Sequence, residues 1–139
     1  MDESNEELVL DLGGALGADE TTSVQRLTLY IHDKDKDGVE FGTQRRWVLE
    51  AAKLLTQMGG GATIMPPVEG TWLNKSTATV VWERPVLVYT FVQPDPFVGL
   101  LPDLRKFVRR LGRETNQGEV VVEFDGNLIR VTDFQEEIP

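Results

Sequence analysis

The order of strand and helix patterns predicts one α+β domain of the ferredoxin-like type, β-α-β-β-α-β, with an extra C-terminal antiparallel strand. Three observations support this fold class. Runs of β-forming residues alternate with two amphipathic segments, glycine and proline clusters separate them, and 139 residues is the length of a single domain. In this arrangement both helices pack on one face of the sheet, so the sequence predicts that the other face has no helix on it.

The first strand is predicted at residues 27–31, which read Leu-Thr-Leu-Tyr-Ile. A helix is predicted over residues 43–58, because apolar residues recur there at helical spacing: Trp47, Val48, Ala51, Leu54, Leu55 and Met58. Three glycines at residues 59–61 end it, since one of them can adopt the left-handed conformation of a C-cap. Residues 62–73 then predict one strand, bent at Pro66-Pro67, where the ladder hydrogen bonds are lost.

The longest strand pattern covers residues 77–92 and is interrupted by Pro85. Its second part, residues 86–92, is continuously apolar, which predicts a strand that is covered on both faces. Pro94-Asp95-Pro96 then predicts a break in the chain.

A second helix is predicted from Pro102, with its end at Gly112 and one apolar face formed by Leu104, Phe107, Val108 and Leu111. Residues 119–124 and 128–131 predict two strands joined by a hairpin turn at Asp125-Gly126-Asn127.

Charge divides the chain into three parts. The net charge is −9, and residues 1–23 carry seven acidic and no basic side chains. We therefore predict a flexible acidic leader at residues 1–23, with one apolar stretch at Leu8–Leu12, followed by a domain at 24–134 and an acidic tail at 135–139.

Composition excludes several classes of function. The chain has no cysteine, so it has no disulfide, thiolate nucleophile, cysteine-ligated zinc or iron–sulfur cluster. No apolar run has the length of a membrane span, and no secretory signal is visible, so we expect a cytoplasmic protein without a membrane partner.

Four short motifs stand in the body of the chain: Gly60-Gly61-Ala62-Thr63, Glu69-Gly70-Thr71-Trp72, Glu83-Arg84-Pro85, and the run from Gly112 to Glu119, Gly-Arg-Glu-Thr-Asn-Gln-Gly-Glu. With them, residues 27–131 resemble a family of small microbial α+β proteins to which no activity is assigned. The resemblance implies an α+β fold and brings no functional residues.

The run Asp33-Lys34-Asp35-Lys36-Asp37-Gly38 has the first half of a calcium loop, with Asp33, Asp35 and Asp37 as the ligands. The second half departs from the pattern, because Gln44 stands where a bidentate Glu is required. The interpretation that we prefer is a strand-to-helix turn that uses Asp and Gly for turn geometry, with the calcium site as the alternative. No other cofactor is indicated.

A polar loop after the second helix is a candidate for ligand or partner contacts, through Arg113, Glu114, Asn116, Gln117 and Glu119. The only histidine, His32, adjoins the Asp-rich run and is interpreted as a surface residue at a strand end, with acid–base chemistry as the alternative. A catalytic role for any of these residues is not predicted.

The second helix also carries a basic stripe, formed by Arg105, Lys106, Arg109, Arg110 and Arg113 at i,i+4 spacing. Arg105 and Arg109 are candidate partner contacts. The stripe fits an acidic protein partner or the acidic leader, an ordinary solvated helix face or, less well, a nucleic acid.

The sequence shows no recognisable set of catalytic residues. This favours a non-catalytic binding or regulatory module that acts through a protein partner or through self-association as a homodimer. The first alternative is a small ligand-binding protein or enzyme of the dimeric α+β barrel type, and the second is a nucleic-acid binder. The aromatics Trp72, Trp82, Tyr89, Phe91 and Phe97 are interpreted as core or interface residues rather than as the lining of a pocket.

Overall fold

The computed structural model describes residues 12–135. Most of the predicted leader and tail, residues 1–11 and 136–139, lies outside the described residues, as does all of Leu8–Leu12 except Leu12. The described part contains seven strands, named β1 to β7, and three longer helices, named α1 to α3. They follow one another in the order β1 (Arg26–Ile31), α1 (Gln44–Gly59), β2 (Thr63–Ile64), β3 (Gly70–Asn74), β4 (Thr79–Glu83), β5 (Val86–Phe91), α2 (Pro94–Gly99), α3 (Leu101–Glu114), β6 (Val120–Phe124) and β7 (Asn127–Val131).

Five strands form one sheet in the order β2-β5-β1-β6-β7, in which all neighbouring strands are antiparallel. Strands β3 and β4 form a separate two-stranded hairpin. The predicted α+β class with an antiparallel sheet is confirmed, and the extra C-terminal strand β7 pairs with β6 as expected.

The hydrophobic core lies between one face of the sheet and the helices. Helix α1 contributes the buried residues Trp47, Val48, Ala51, Leu55 and Met58, which recur at the helical spacing read from the sequence. On β1 the side chains of Leu27, Leu29 and Ile31 meet them. Helix α3 adds Phe107, whose ring contacts the edge of Trp47 at a centroid distance of 5.9 Å.

Both long strand predictions are wrong in the same way, because each covers two strands that belong to different sheets. Residues 62–73 divide into β2, which pairs with β5, and β3, which pairs with β4. Residues 77–92 divide at Arg84-Pro85 into β4 and β5. The prolines end the ladder, as expected for residues without an N–H group, but the chain then changes partner instead of bending.

Three further expectations need correction. The break at Pro94 is a short helix, α2, with proline in its first turn. Strand β5 is fully covered on one face only, because on the other face Leu87 and Tyr89 are half-buried and Phe91 is 47% exposed. Helix α3 continues past Gly112 to Glu114, and Gly112 is buried because the ring of Phe134 packs against it, 2.2 Å from where a Cβ atom would stand.

Helix α1 ends as the glycine cluster predicts. Gly60 has φ 86°, the left-handed conformation, and its N–H group donates to the carbonyl oxygen of Thr56 at 2.8 Å.

None of the helices within residues 12–135 is long and apolar enough to cross a membrane.

Gly59 allows the end of α1 to lie directly on β5. A Cβ atom at this position would stand 2.0 Å from Oγ1 of Thr90 and 2.4 Å from the carbonyl oxygen of Phe91. We expect Gly59→Ala to lower the free energy of unfolding by about 1–3 kcal/mol, measured by urea denaturation, because backbone would have to move. The control is Gly61→Ala, where no atom lies within 4 Å. Equal effects of the two substitutions would contradict the close approach at Gly59.

Candidate functional site

A cavity of about 460 Å³ lies between the β3–β4 hairpin and one end of the five-stranded sheet. We call it the hairpin cavity. Polar side chains reach it from three places: His32 and Lys34 after β1, Glu83 with the ring of Trp72 on the hairpin, and Gln117 with Glu119 before β6. It therefore combines an aromatic surface with convergent charged groups, as ligand sites do.

The pleat of the sheet directs these residues away from the core. Since Leu27, Leu29 and Ile31 of β1 face the helices, the alternating residues Thr28, Tyr30 and His32 point to the opposite, outer face. Strand β6 follows the same rule, with Val120 and Val122 in the core. Side chains that flank the core positions of β1 and β6 thus meet the hairpin at one end of the outer face.

Hydrogen bonds fix the base of the hairpin against the loop that follows β1. The ammonium group of Lys34 donates to the carbonyl oxygen of Trp82 at 3.0 Å, and the N–H group of Arg84 donates to Oδ1 of Asp33 at 3.0 Å. The side-chain amide of Gln44 donates both to Ile31 and to Arg84, at 3.0 and 2.9 Å. These bonds attach the end of β4 to the end of β1 and to the loop that follows it.

Glu83 and His32 are paired in the wall of the cavity. Nδ1 of His32 lies 3.0 Å from Oε1 of Glu83, and the two side chains are only 20% and 12% exposed. Within residues 12–135 the nitrogen has no partner with the geometry of a hydrogen bond, so the contact is one of proximity. The interpretation of His32 as a surface residue is wrong, because a hairpin strand packs over it.

A second pair, Tyr30 and Glu123, occupies the outer face further along the same strands. The hydroxyl group of Tyr30 donates to Oε1 of Glu123. Burial, followed by this hydrogen bond and the negative charge of Glu123, raises the pKa of Tyr30 to about 12. The phenol therefore stays protonated over the whole physiological range.

The three aspartates of the predicted calcium loop accept hydrogen bonds from their own loop and from two distant parts of the chain. Asp35 accepts from the N–H groups of Asp37 and Val39, at 2.8 and 3.0 Å, and from the side-chain amide of Asn116 at 3.2 Å. The bond from Val39 contributes most to holding the pKa of Asp35 below its usual value. Asp37 also accepts from Asn116, at 3.3 Å, whereas Asp33 faces the hairpin. Within residues 12–135, no three His, Cys, Asp or Glu side chains are grouped as metal ligands. Calcium binding stays a prediction.

The structure divides the residues of the predicted polar loop among three roles. Asn116 and Gln117 hold the loop after β1, since the amide of Gln117 donates to the carbonyl oxygen of Lys34 at 3.1 Å. Glu119 reaches the cavity and lies 3.5 Å from Nε of Arg130. Glu114 instead contacts Arg110 on α3, at 3.5 Å.

The basic side chains of α3 have several different partners. Arg109 and Arg113 donate to the carbonyl oxygens of Gln135 and Phe134, at 3.0 and 2.7 Å. Arg110 pairs with Glu50, which raises the pKa of its guanidinium, and lies over the ring of Trp47. Arg105 and Arg109 line a second, mainly apolar cavity of about 400 Å³ between α3 and the β6–β7 edge. The helix thus uses part of the predicted stripe to hold the segment after β7.

Sequence reasoning missed the hairpin residues of the site. The sequence predicts Trp72 as a core or interface residue, whereas in the structure it is 37% exposed and lines the cavity. Glu83 was not selected as a site residue. The available signal was Asn74-Lys75-Ser76, a turn between two apolar segments that now pair as β3 and β4.

Neither a protein-family model nor a curated protein sequence matches the chain. Among solved structures, a phage SAM lyase in complex with S-methyl-5′-thioadenosine matches with a TM-score of 0.57 and 13% identity, covering 86% of this chain and 98% of that chain. The phage SAM lyase in its apo state matches with a TM-score of 0.53 and 14% identity, covering 85% of this chain and 98% of that chain. At this identity the comparison establishes a shared fold.

These structures correct the preferred functional prediction. A non-catalytic binding or regulatory module was expected, and that expectation is wrong, because the solved structures that share the fold are those of an enzyme. The first alternative, a small ligand-binding protein or enzyme, agrees better with the comparison.

The raised pKa of Tyr30 gives a direct test of the geometry on the outer face. In a Tyr89→Phe variant, Tyr30 is the only tyrosine, and its ultraviolet absorbance should titrate with a midpoint of about 12. Adding Glu123→Gln removes the negative charge, so the midpoint should fall toward the ordinary value of about 10. Because the pKa is raised on folding, this pair contributes stability that is complete below about pH 10 and is lost as the pH rises to about 12. A midpoint that Glu123→Gln leaves unchanged would contradict the pairing.

Proposed function

We propose that this protein is an enzyme that binds S-adenosylmethionine in the hairpin cavity and cleaves it to release S-methyl-5′-thioadenosine. One observation carries the proposal: the shared fold with a SAM lyase whose structure holds S-methyl-5′-thioadenosine, over 98% of that chain. The match includes nearly all of the lyase, so the likeness is not confined to one sheet or one helix pair.

The hairpin cavity has the size and chemistry that such a substrate requires. Its volume of about 460 Å³ lies in the range of small-molecule sites, roughly 300–1,000 Å³. The ring of Trp72 offers a surface on which adenine can stack. Gln117 and the charged groups of Lys34 and Glu119 offer partners for the amino-acid part, which carries one positive and one negative charge.

The proposed reaction breaks the bond between the sulfonium sulfur and the side-chain carbon of the amino acid. The bonding electron pair passes to sulfur, which becomes the neutral thioether of S-methyl-5′-thioadenosine. The remaining carbon is attacked by the substrate's own carboxylate to give a lactone, or a neighbouring carbon loses a proton to give an unsaturated amino acid. The first route needs only a substrate held in the reactive conformation, and the second also needs a base.

The details of fold and assembly belong to this proposal as well. The order β2-β5-β1-β6, with helices on one face, supports a ferredoxin-like core into which the β3–β4 hairpin is inserted. Leu73, Val80 and Trp82 lie on the hairpin face opposite the cavity and are 58%, 58% and 61% exposed, which supports self-association as a homo-oligomer. We also propose a cytoplasmic location, on the cysteine-free composition.

The test is to incubate the purified protein with S-adenosylmethionine and to quantify S-methyl-5′-thioadenosine and the second product by chromatography with mass spectrometry. Samples without protein measure spontaneous breakdown. The mass of the second product shows whether a water molecule has been added to the amino-acid fragment. The lactone and the unsaturated acid have equal masses, and their chromatographic retention times distinguish them. Binding without product would leave a ligand-binding protein, and the absence of both would contradict the proposal.

Trp72→Ala should weaken substrate binding about fivefold or more, because stacking of a base on an aromatic ring is worth about 1–3 kcal/mol. The matched control is Trp82→Ala. Trp82 stands on the same hairpin but on its other face, where it is 61% exposed. The Michaelis constant and the turnover number of both variants give the comparison, and equal losses would show that the cavity is not the site.

A further inference from the structure

Trp72 and Glu83 lie side by side on the face of the hairpin that lines the cavity. In the β3–β4 register Gly70 is opposite Glu83 and Trp72 is opposite Val81, so the two side chains are diagonal neighbours on one face. Both contribute to the cavity wall. An aromatic ring and a carboxylate that lie close together can both attract a cation, and they do so best when the cation is weakly hydrated.

The carboxylate of Glu83 is well placed to act on such a cation. Its side chain is only 12% exposed, so solvent screens its charge less than that of a surface residue. Its neighbour is Nδ1 of His32, which has no hydrogen-bond partner of good geometry in the structure. A cation bound in the cavity would give this carboxylate a charged partner in addition to the imidazole beside it.

We infer that Trp72 and Glu83 recognise the positive charge on the sulfonium sulfur, and that the site therefore selects a cationic adenosyl ligand over its neutral thioether counterpart. This inference rests on the proposed function. It has a consequence for turnover. Cleavage of the sulfur–carbon bond turns the sulfonium into a neutral thioether, so the attraction to Trp72 and Glu83 is lost in the reaction itself and the product is released more readily.

The inference is tested by equilibrium binding of two unreactive probes, sinefungin and S-adenosylhomocysteine. Both carry the adenosine, amino and carboxylate groups of the substrate. Sinefungin has a positively charged amine at the position of the sulfonium, whereas S-adenosylhomocysteine has a neutral sulfur. Their ratio of affinities therefore measures charge recognition separately from stacking and from contacts to the amino-acid part.

We expect the wild-type protein to bind sinefungin about tenfold more tightly than S-adenosylhomocysteine, as expected for one cation–π contact and one charged partner. Glu83→Gln keeps the shape of the side chain, removes its charge, and should reduce this ratio to about threefold or less. Its affinity for S-adenosylhomocysteine should stay near the wild-type value. Trp72→Leu should reduce the ratio as well. Glu40→Gln, an exposed carboxylate on the loop before α1, is the control for an unspecific change of charge.

Glu119→Gln separates the pair from the general charge of the cavity. Glu119 lines the same cavity but lies near Arg130, so its removal should change the ratio less than Glu83→Gln does. An equal effect of Glu119→Gln, or a ratio that Glu83→Gln leaves unchanged, would overturn the inference while the proposed function stands. If the wild-type protein binds neither probe and releases no S-methyl-5′-thioadenosine, both the inference and the proposed function are overturned.

Discussion

Strand β1 is hydrogen-bonded on both of its sides, to β5 and to β6, and its pleat distributes side chains between the core and the cavity. Leu27, Leu29 and Ile31 are almost completely buried under the helices, at 1%, 1% and 0% exposure. The alternating positions carry Tyr30 to the outer face and His32 to the hairpin. A shift of one residue in either ladder would exchange the two sets, so the register that builds the core also places the site.

Helices α1 and α3 and the strand β1 were predictable because their patterns are local. The spacing of Trp47, Val48, Ala51, Leu55 and Met58 appears in the sequence as it does on the buried face of α1. The division of residues 62–73 was not predictable in the same way. Thr63–Ile64 and the centre of Gly70–Asn74 both contain β-forming residues, but one segment pairs with β5 and the other with β4. Pairing depends on distant parts of the chain, which a local pattern does not contain.

The candidate site shows the same contrast. Gln117 and Glu119 were predicted as contact residues because a polar loop between a helix and a strand is a common position for function. Trp72 and Glu83 enter the site only through the tertiary position of the hairpin, which bonds from Lys34 and Gln44 fix against the sheet.

The position of Gly112 also depends on a distant partner, since only the packed ring of Phe134 explains why no side chain is allowed there.

The hairpin contributes Trp72 and Glu83 to the cavity wall and, within residues 12–135, none of the buried hydrophobic core, whose residues come from β1, β5, β6, α1 and α3. Substitutions on β3 and β4 therefore meet few constraints from the stability of the domain. Over evolutionary time, one wall of the cavity can change its shape and charge while the sheet and helices are conserved. Descendants of such a scaffold would be expected to diverge first in the ligand they prefer, and to share a core long after the sequences of their hairpins have ceased to resemble one another.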